Sequence, residues 1–126
     1  MSDQVSVWIG TFPSEKALAD YFEEQFDDQD KPLSPFAADQ GQDYYDHDFI
    51  EFTFHKKAKG IADIVNVHSH AISYSAAVVA ACKAKKITKA NAIVLCFDGC
   101  IRKPKSVSKK GIELCYLGNF DFEKSA

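Results

Sequence analysis

With 126 residues, 46% of them hydrophobic and 26% charged, the chain reads as one globular domain spanning residues 1–126, large enough to bury a core without disulfide or metal staples. Its formal charge of −3 conceals a strong asymmetry: residues 1–55 hold 13 acids against two bases, Lys16 and Lys31, whereas residues 56–126 hold five acids against 13 bases. Balances of −11 and +8 follow. Negative potential on that scale attracts a basic protein partner and repels nucleic-acid phosphates. The opening Met1-Ser2-Asp3-Gln4 lacks the basic and apolar regions of an export signal, and no run of about 18 apolar residues occurs. The expectation is a cytoplasmic protein with neither membrane nor nucleic acid as partner.

Val5, Val7 and Ile9 alternate with Ser6, Trp8 and Gly10, so the first strand carries bulky residues on both faces and belongs inside the sheet. Ser14 or Thr11 caps a helix beginning near Glu15, in which Leu18, Tyr21, Phe22 and Phe26 recur at helical spacing. Asp20, Glu23 and Glu24, then Asp27, Asp28 and Asp30, crowd the far side and the exit of that helix, against its dipole. Such locally unfavourable choices mark places to look for function. Ser34-Pro35-Phe36 starts a short helix ending at Gly41. Ile50, Phe52 and Phe54 then point one way and Glu51, Thr53 and His55 the other, which predicts a second strand.

Lys56-Lys57-Ala58-Lys59-Gly60 reads as a basic loop, and Ile61, Ile64 and Val65, with His68 continuing the spacing, as a short helix or irregular segment. A longer helix is predicted from Ser75 to Lys86, capped by Ser73 or Ser75 and closed by Thr88, Lys89 and Asn91. Ala92 to Phe97 is the continuous apolar run of a central strand. Arg102 to Gly111 reads as a basic hairpin loop, and Ile112 to about Phe120 as a last strand paired with its predecessor. The order predicts an α+β fold of two layers, a mixed, roughly four-stranded β-sheet covered by helices.

Signals for catalysis are weak. Cys82, Cys96 and Cys115 read as small buried apolar residues, Cys100 as a turn residue, and no pair has metal-ligand spacing; His68-x-His70 comes nearest. Asp43, Asp46 and Asp48 surround His47, yet neither the Gly nor the closing Glu of a calcium loop is in place. The serines near His68 and His70 lack a nucleophile elbow, and no acid stands where it would orient a histidine. Glycines scattered singly form no phosphate cradle, and the cations of Arg102 to Lys110 lack interleaved aromatics. No catalytic residue, metal or cofactor is therefore predicted.

What remains is charge beside aromatic surface. Asp43, Tyr44, Tyr45, Asp46, Asp48 and Glu51 combine acidity with rigid contact area, and Asp27, Asp28 and Asp30 add a second acidic rim. Three readings compete with a docking face. One is a solvated polar loop; another is a small enzyme or ligand-binding domain using His47, His55, His68 or His70 with carboxylates in a pocket. The third is a subunit whose tyrosines form a homodimer, against an expected state of monomer or weak homodimer.

Six segments together resemble the immunity protein 22 family: Val5-Ser6-Val7-Trp8-Ile9-Gly10-Thr11-Phe12, the helical Tyr21-Phe22, Tyr45-Asp46-His47-Asp48-Phe49-Ile50-Glu51, Ser73-Tyr74-Ser75, Asn91-Ala92-Ile93-Val94-Leu95 and Leu117-Gly118-Asn119-Phe120. Each is short, but together they span nearly the whole chain. The resemblance implies an α+β fold and a non-enzymatic role as a cytoplasmic antidote encoded beside a polymorphic bacterial toxin, with that cognate protein toxin as partner. It supplies neither the toxin's identity nor a docking site, so the residues above are named from charge and composition. A toxin that cuts nucleic acid would present a basic cleft complementary to such a surface.

Overall fold

The computed structural model describes residues 3–23, 25–26, 32–42, 49–66, 68–98, 101–109 and 111–122. In chain order the elements are β1 (Asp3–Thr11), α1 (Glu15–Phe22), β2 (Gln25–Phe26), β3 (Pro32–Leu33), α2 (Pro35–Asp39), β4 (Ile50–Gly60), α3 (Ile61–Val65), α4 (Ala71–Ala84), β5 (Lys89–Phe97), β6 (Val107–Lys109) and β7 (Ile112–Phe122). Five strands form one sheet in the order β4-β5-β1-β7-β6, while β2 and β3 make a separate two-stranded ladder. The class is α+β, as expected, but the sheet has five strands where about four were predicted. Every pairing is antiparallel, so it is not mixed.

β1 sits at the centre because both its edges and both its faces are used. It pairs with β5, Val5 opposite Phe97 and Gly10 opposite Ala92, and with β7, Val5 opposite Phe120 and Gly10 opposite Leu114. The last strand therefore joins β1 and β6 and not β5; β6 lies inside the stretch read as a basic hairpin loop, its three residues too few to announce a period. Both edge strands carry lysine, which blunts edge-to-edge association.

Alternation along the strands sends side chains into two cores. Val5, Val7, Ile9, Ile93, Leu95 and Phe97 pack with Ile61, Ile64 and Val65 of α3 and Tyr74, Val78 and Cys82 of α4. Trp8, Ala92, Val94 and Cys96 pack with Leu18, Tyr21 and Phe22 of α1 and Phe36 and Ala37 of α2. Both faces of the central strands are buried, which explains the unbroken apolar run in β5.

Gly10 is where β7 comes closest. A Cβ added there would lie 1.8 Å from the Glu113 carbonyl oxygen, a clash with backbone that only movement of a strand relieves. Gly10→Ala is expected to cost about 1–3 kcal/mol, read as a lower denaturation midpoint. An unchanged midpoint would contradict this register.

Local signals placed the starts of the first helices well, but α1 ends at Phe22, and Phe26, read as continuing its apolar spacing, falls in β2. The Ser14 hydroxyl accepts from the Ala17 N–H (3.1 Å) at the start of α1, and Ser34 does the same for Ala37 (3.0 Å) ahead of Pro35 in α2. α4 starts at Ala71, ahead of the predicted Ser75, so neither Ser73 nor Ser75 caps it. The position before it is His70, whose backbone is left-handed (φ 60°), and the Ser73 hydroxyl donates back to the His70 carbonyl (2.8 Å). The predicted basic loop at 56–60 continues as β4; between Phe54, opposite Ala92, and Lys59, opposite Ala90, the strand bulges from the ladder. Asn91 lies within β5, where its amide clamps Phe12 by accepting from the N–H and donating to the carbonyl, both at 2.9 Å.

Cys82 and Cys115 are free thiols, and burial, with Cys115 nearby, pushes the Cys82 thiol up to about 11. Cys96 is disulfide-bonded, correcting its reading as a plain buried thiol; an apolar neighbourhood reports burial and not oxidation state.

Candidate functional site

β4 alternates as predicted, and the side that carries Glu51, Thr53 and His55 meets the turn between α3 and α4. His68 there lies 3.0 Å from Glu51 Oε1 through Nδ1 and 2.8 Å from Thr53 Oγ1 through Nε2. The Ser69 N–H donates to the same Glu51 oxygen at 3.1 Å, and the Tyr74 hydroxyl donates to the Ser69 carbonyl at 2.7 Å. An acid does therefore orient a histidine, contrary to the sequence reading; the two are 17 positions apart, beyond any local motif.

An acid–imidazole–hydroxyl chain has the outline of a nucleophilic relay, but its placement argues otherwise. The His68 side chain is 6% exposed, and neither it nor Thr53 lines the neighbouring cavity. A nucleophile needs a face open to substrate. The trio instead fastens the α3–α4 turn to β4 and fixes the Glu51 carboxylate.

That carboxylate borders a cavity of about 190 Å³ at one end of the sheet, lined by Phe49, Glu51, Ser69, His70, Phe97, Asp98 and Phe122. Four elements converge there: the start of β4, the turn before α4, and the ends of β5 and β7. The His70 ring packs at 5.3 Å from Phe122 and 6.1 Å from Phe97, and its Nδ1 is buried without a hydrogen-bond partner among the described residues. Asp98, like His70, holds a left-handed backbone (φ 58°), tied down by its N–H to the Gln4 carbonyl at 2.9 Å. Two such residues that are not glycine at one cavity are uncommon and mark a constrained site. Phe49 is 41% exposed, and Ile72, two residues after His70, is 83% exposed. A larger, mainly apolar groove of about 380 Å³ lies by the opposite end of β1, and there the charged lining residues are Lys89 and Glu113.

Burial pushes the Glu51 carboxyl upward, but hydrogen bonds from Ser69 and then His68, with the His68 charge, outweigh it and hold the group below the ordinary carboxylate range. Burial and the Glu51 charge together push the Tyr74 phenol well above its ordinary range. At His55, burial first, then the charges of Lys59 and His68, keep the imidazole below its ordinary range. For Glu51 the unfolded chain takes up its proton first as pH falls. Its contribution is thus complete above 4.5 and lost as pH drops through the lower folded value. Glu51→Gln is expected to cost about 1–2 kcal/mol at neutral pH and to flatten the loss of stability in acid, measured by denaturant unfolding between pH 7 and 3. An unaltered acid limb would contradict the assignment.

Of the residues predicted for docking, Asp27, Asp28, Asp30, Asp43, Tyr44, Tyr45, Asp46 and Asp48 lie outside the described residues, as does His47; Glu51 is described and borders the cavity. Ser69, His70, Phe97, Asp98 and Phe122 were not read as docking residues. The charge asymmetry is partly cancelled where the halves meet: Lys109 of β6 pairs with Asp39 at 2.9 Å and lies 5.3 Å from the centre of the Tyr21 ring, while the Tyr21 hydroxyl donates to Asp39 at 2.7 Å. Asp20 pairs with Lys16 on the exposed side of α1. The basic stretch after β5 is also tied down, since Gln40 bonds both the N–H and the carbonyl of Lys105 and Gln42 accepts from the Arg102 N–H. Among the described residues no three His, Cys, Asp or Glu converge to hold a metal ion. None of their helices is long and apolar enough to cross a membrane.

A family profile described as Immunity protein 22 matches residues 5–123. The chain belongs to the Immunity protein 22 family. No curated protein and no solved structure gives a significant match. The matched span of this Immunity protein 22 member takes in the acidic stretch from Asp27 to Asp48 as well as every residue lining the cavity.

Proposed function

We propose that the protein is a cytoplasmic antidote that binds a cognate toxin and silences it by occupying its surface, without turnover. The observation that carries this reading is membership of the Immunity protein 22 family over residues 5–123. The charge of the first 55 residues supports a basic toxin surface as the target, and a nuclease, whose cleft must attract phosphate, is the toxin class that fits best. Asp43, Asp46, Asp48 and Glu51 supply charged contacts, Tyr44 and Tyr45 packed anchors, and Asp27, Asp28 and Asp30 an outer rim.

The test is titration of the antidote into the toxin encoded by the adjacent gene. Occlusion predicts loss of toxin activity at one equivalent, with the toxin's mass unchanged. Silencing by a small fraction of an equivalent, or a covalently altered toxin, would favour the second reading, an enzyme built on Glu51, His68 and Thr53. Thr53→Val separates the two, because it abolishes a relay and leaves an occluding surface intact.

A further inference from the structure

We propose that the cavity beside Glu51 is an anchor pocket for one guanidinium group, the arginine side chain of a protein partner. The assignment rests on the toxin-binding reading for the source of that arginine; the chemistry rests on the cavity. At about 190 Å³ it is smaller than a cofactor or drug site, which takes about 300–1,000 Å³, and suits the end of one side chain.

Its lining selects a planar cation. Glu51 and Asp98 contribute carboxylates, no lysine or arginine among the described residues lines it, and Phe49, Phe97 and Phe122 provide aromatic walls. Phe97 and Phe122 meet edge to face at 5.1 Å, and aromatic rings lining a cavity favour a cation. The bonds from His68 and the Ser69 N–H both end on Glu51 Oε1, and a carboxylate has about four acceptor sites, so a rigidly held group keeps capacity to offer. His70 adds a buried ring nitrogen without a hydrogen-bond partner among the described residues. Guanidinium brings five N–H donors in a flat fork; an ammonium brings three and no plane to stack. Anions are disfavoured by the two carboxylates. The positive end of α4 does not reverse this, since the Ser69 N–H is already spent on Glu51.

The test follows the amide and aromatic NMR signals of the full chain as Nα-acetyl-arginine methylamide is added. Expected are saturable shifts at Glu51, Ser69, His70 and Phe97, with a dissociation constant on the order of millimolar. The citrulline analogue, equal in shape but uncharged, should bind at least about tenfold more weakly, and E51Q should weaken the arginine probe by about tenfold, the loss of one charge-assisted bond. F49A changes an exposed wall and should weaken it several-fold with the far-UV spectrum unchanged. Equal responses to arginine and citrulline, or shifts confined to other surfaces, would overturn the pocket. Tighter binding of free L-arginine than of the blocked probe would overturn the partner side chain as occupant. A silent probe beside intact toxin binding removes the anchor while the antidote reading stands.

Discussion

Replacing Trp8 by alanine will lower stability by about 3–5 kcal/mol, the range for deleting a large buried aromatic. Trp8 is fully buried at the centre of the sheet, with ring centroids 5.3 Å from both Phe36 and Tyr116. Its indole N–H donates to the Lys105 carbonyl at 2.9 Å, joining the stretch between β5 and β6 to the core of α1 and α2. Alanine would remove the packing of α2 on β1 and one of two donors to that carbonyl, the other being Gln40. Trp8→Phe retains a ring and loses the bond, and should cost less, about 1–2 kcal/mol. Because Trp8 is the single tryptophan, unfolding of these variants must be followed by far-UV circular dichroism. A loss below about 1 kcal/mol for the alanine variant would mean that the core closes without the indole.

The fold was legible where physics is local. Alternation in β1, the Ser14 and Ser34 caps, Pro35 at the start of α2 and the apolar run of β5 each depend on residues within a few positions of one another. Strand pairing was not legible, because β7 chooses β1 through contacts more than 100 positions away, such as Val5 with Phe120. The site suffered from the same limit. Glu51 was named for its charge, whereas its partners His68 and Ser69 and the facing Asp98 and Phe122 are set by tertiary structure. The left-handed turn at His70 was not legible either, since positive φ is uncommon outside glycine and histidine's enrichment there is too weak to pick out one position. Summing charge by chain segment also overstated the separation, since Lys109 crosses over to neutralise Asp39.

The largest functional effect is expected from reversing charge in the acidic stretch. Long-range attraction acts on association more than on dissociation, and it fades over a Debye length of about 8 Å at physiological salt. Asp46→Lys with Asp48→Lys changes the charge by four units in the stretch of chain that leads into Phe49 and Glu51. The toxin's association rate should fall about tenfold to a hundredfold at low salt, with a far smaller change in dissociation. The loss should shrink as salt is added.

The central claim, that negative charge gathered in the first half of the chain draws in a basic toxin, is tested most directly by that association rate measured across ionic strength for the native protein and the double variant. A steep fall with salt for the native protein and a much flatter dependence for the variant is the predicted result. Two parallel lines of similar height would contradict it.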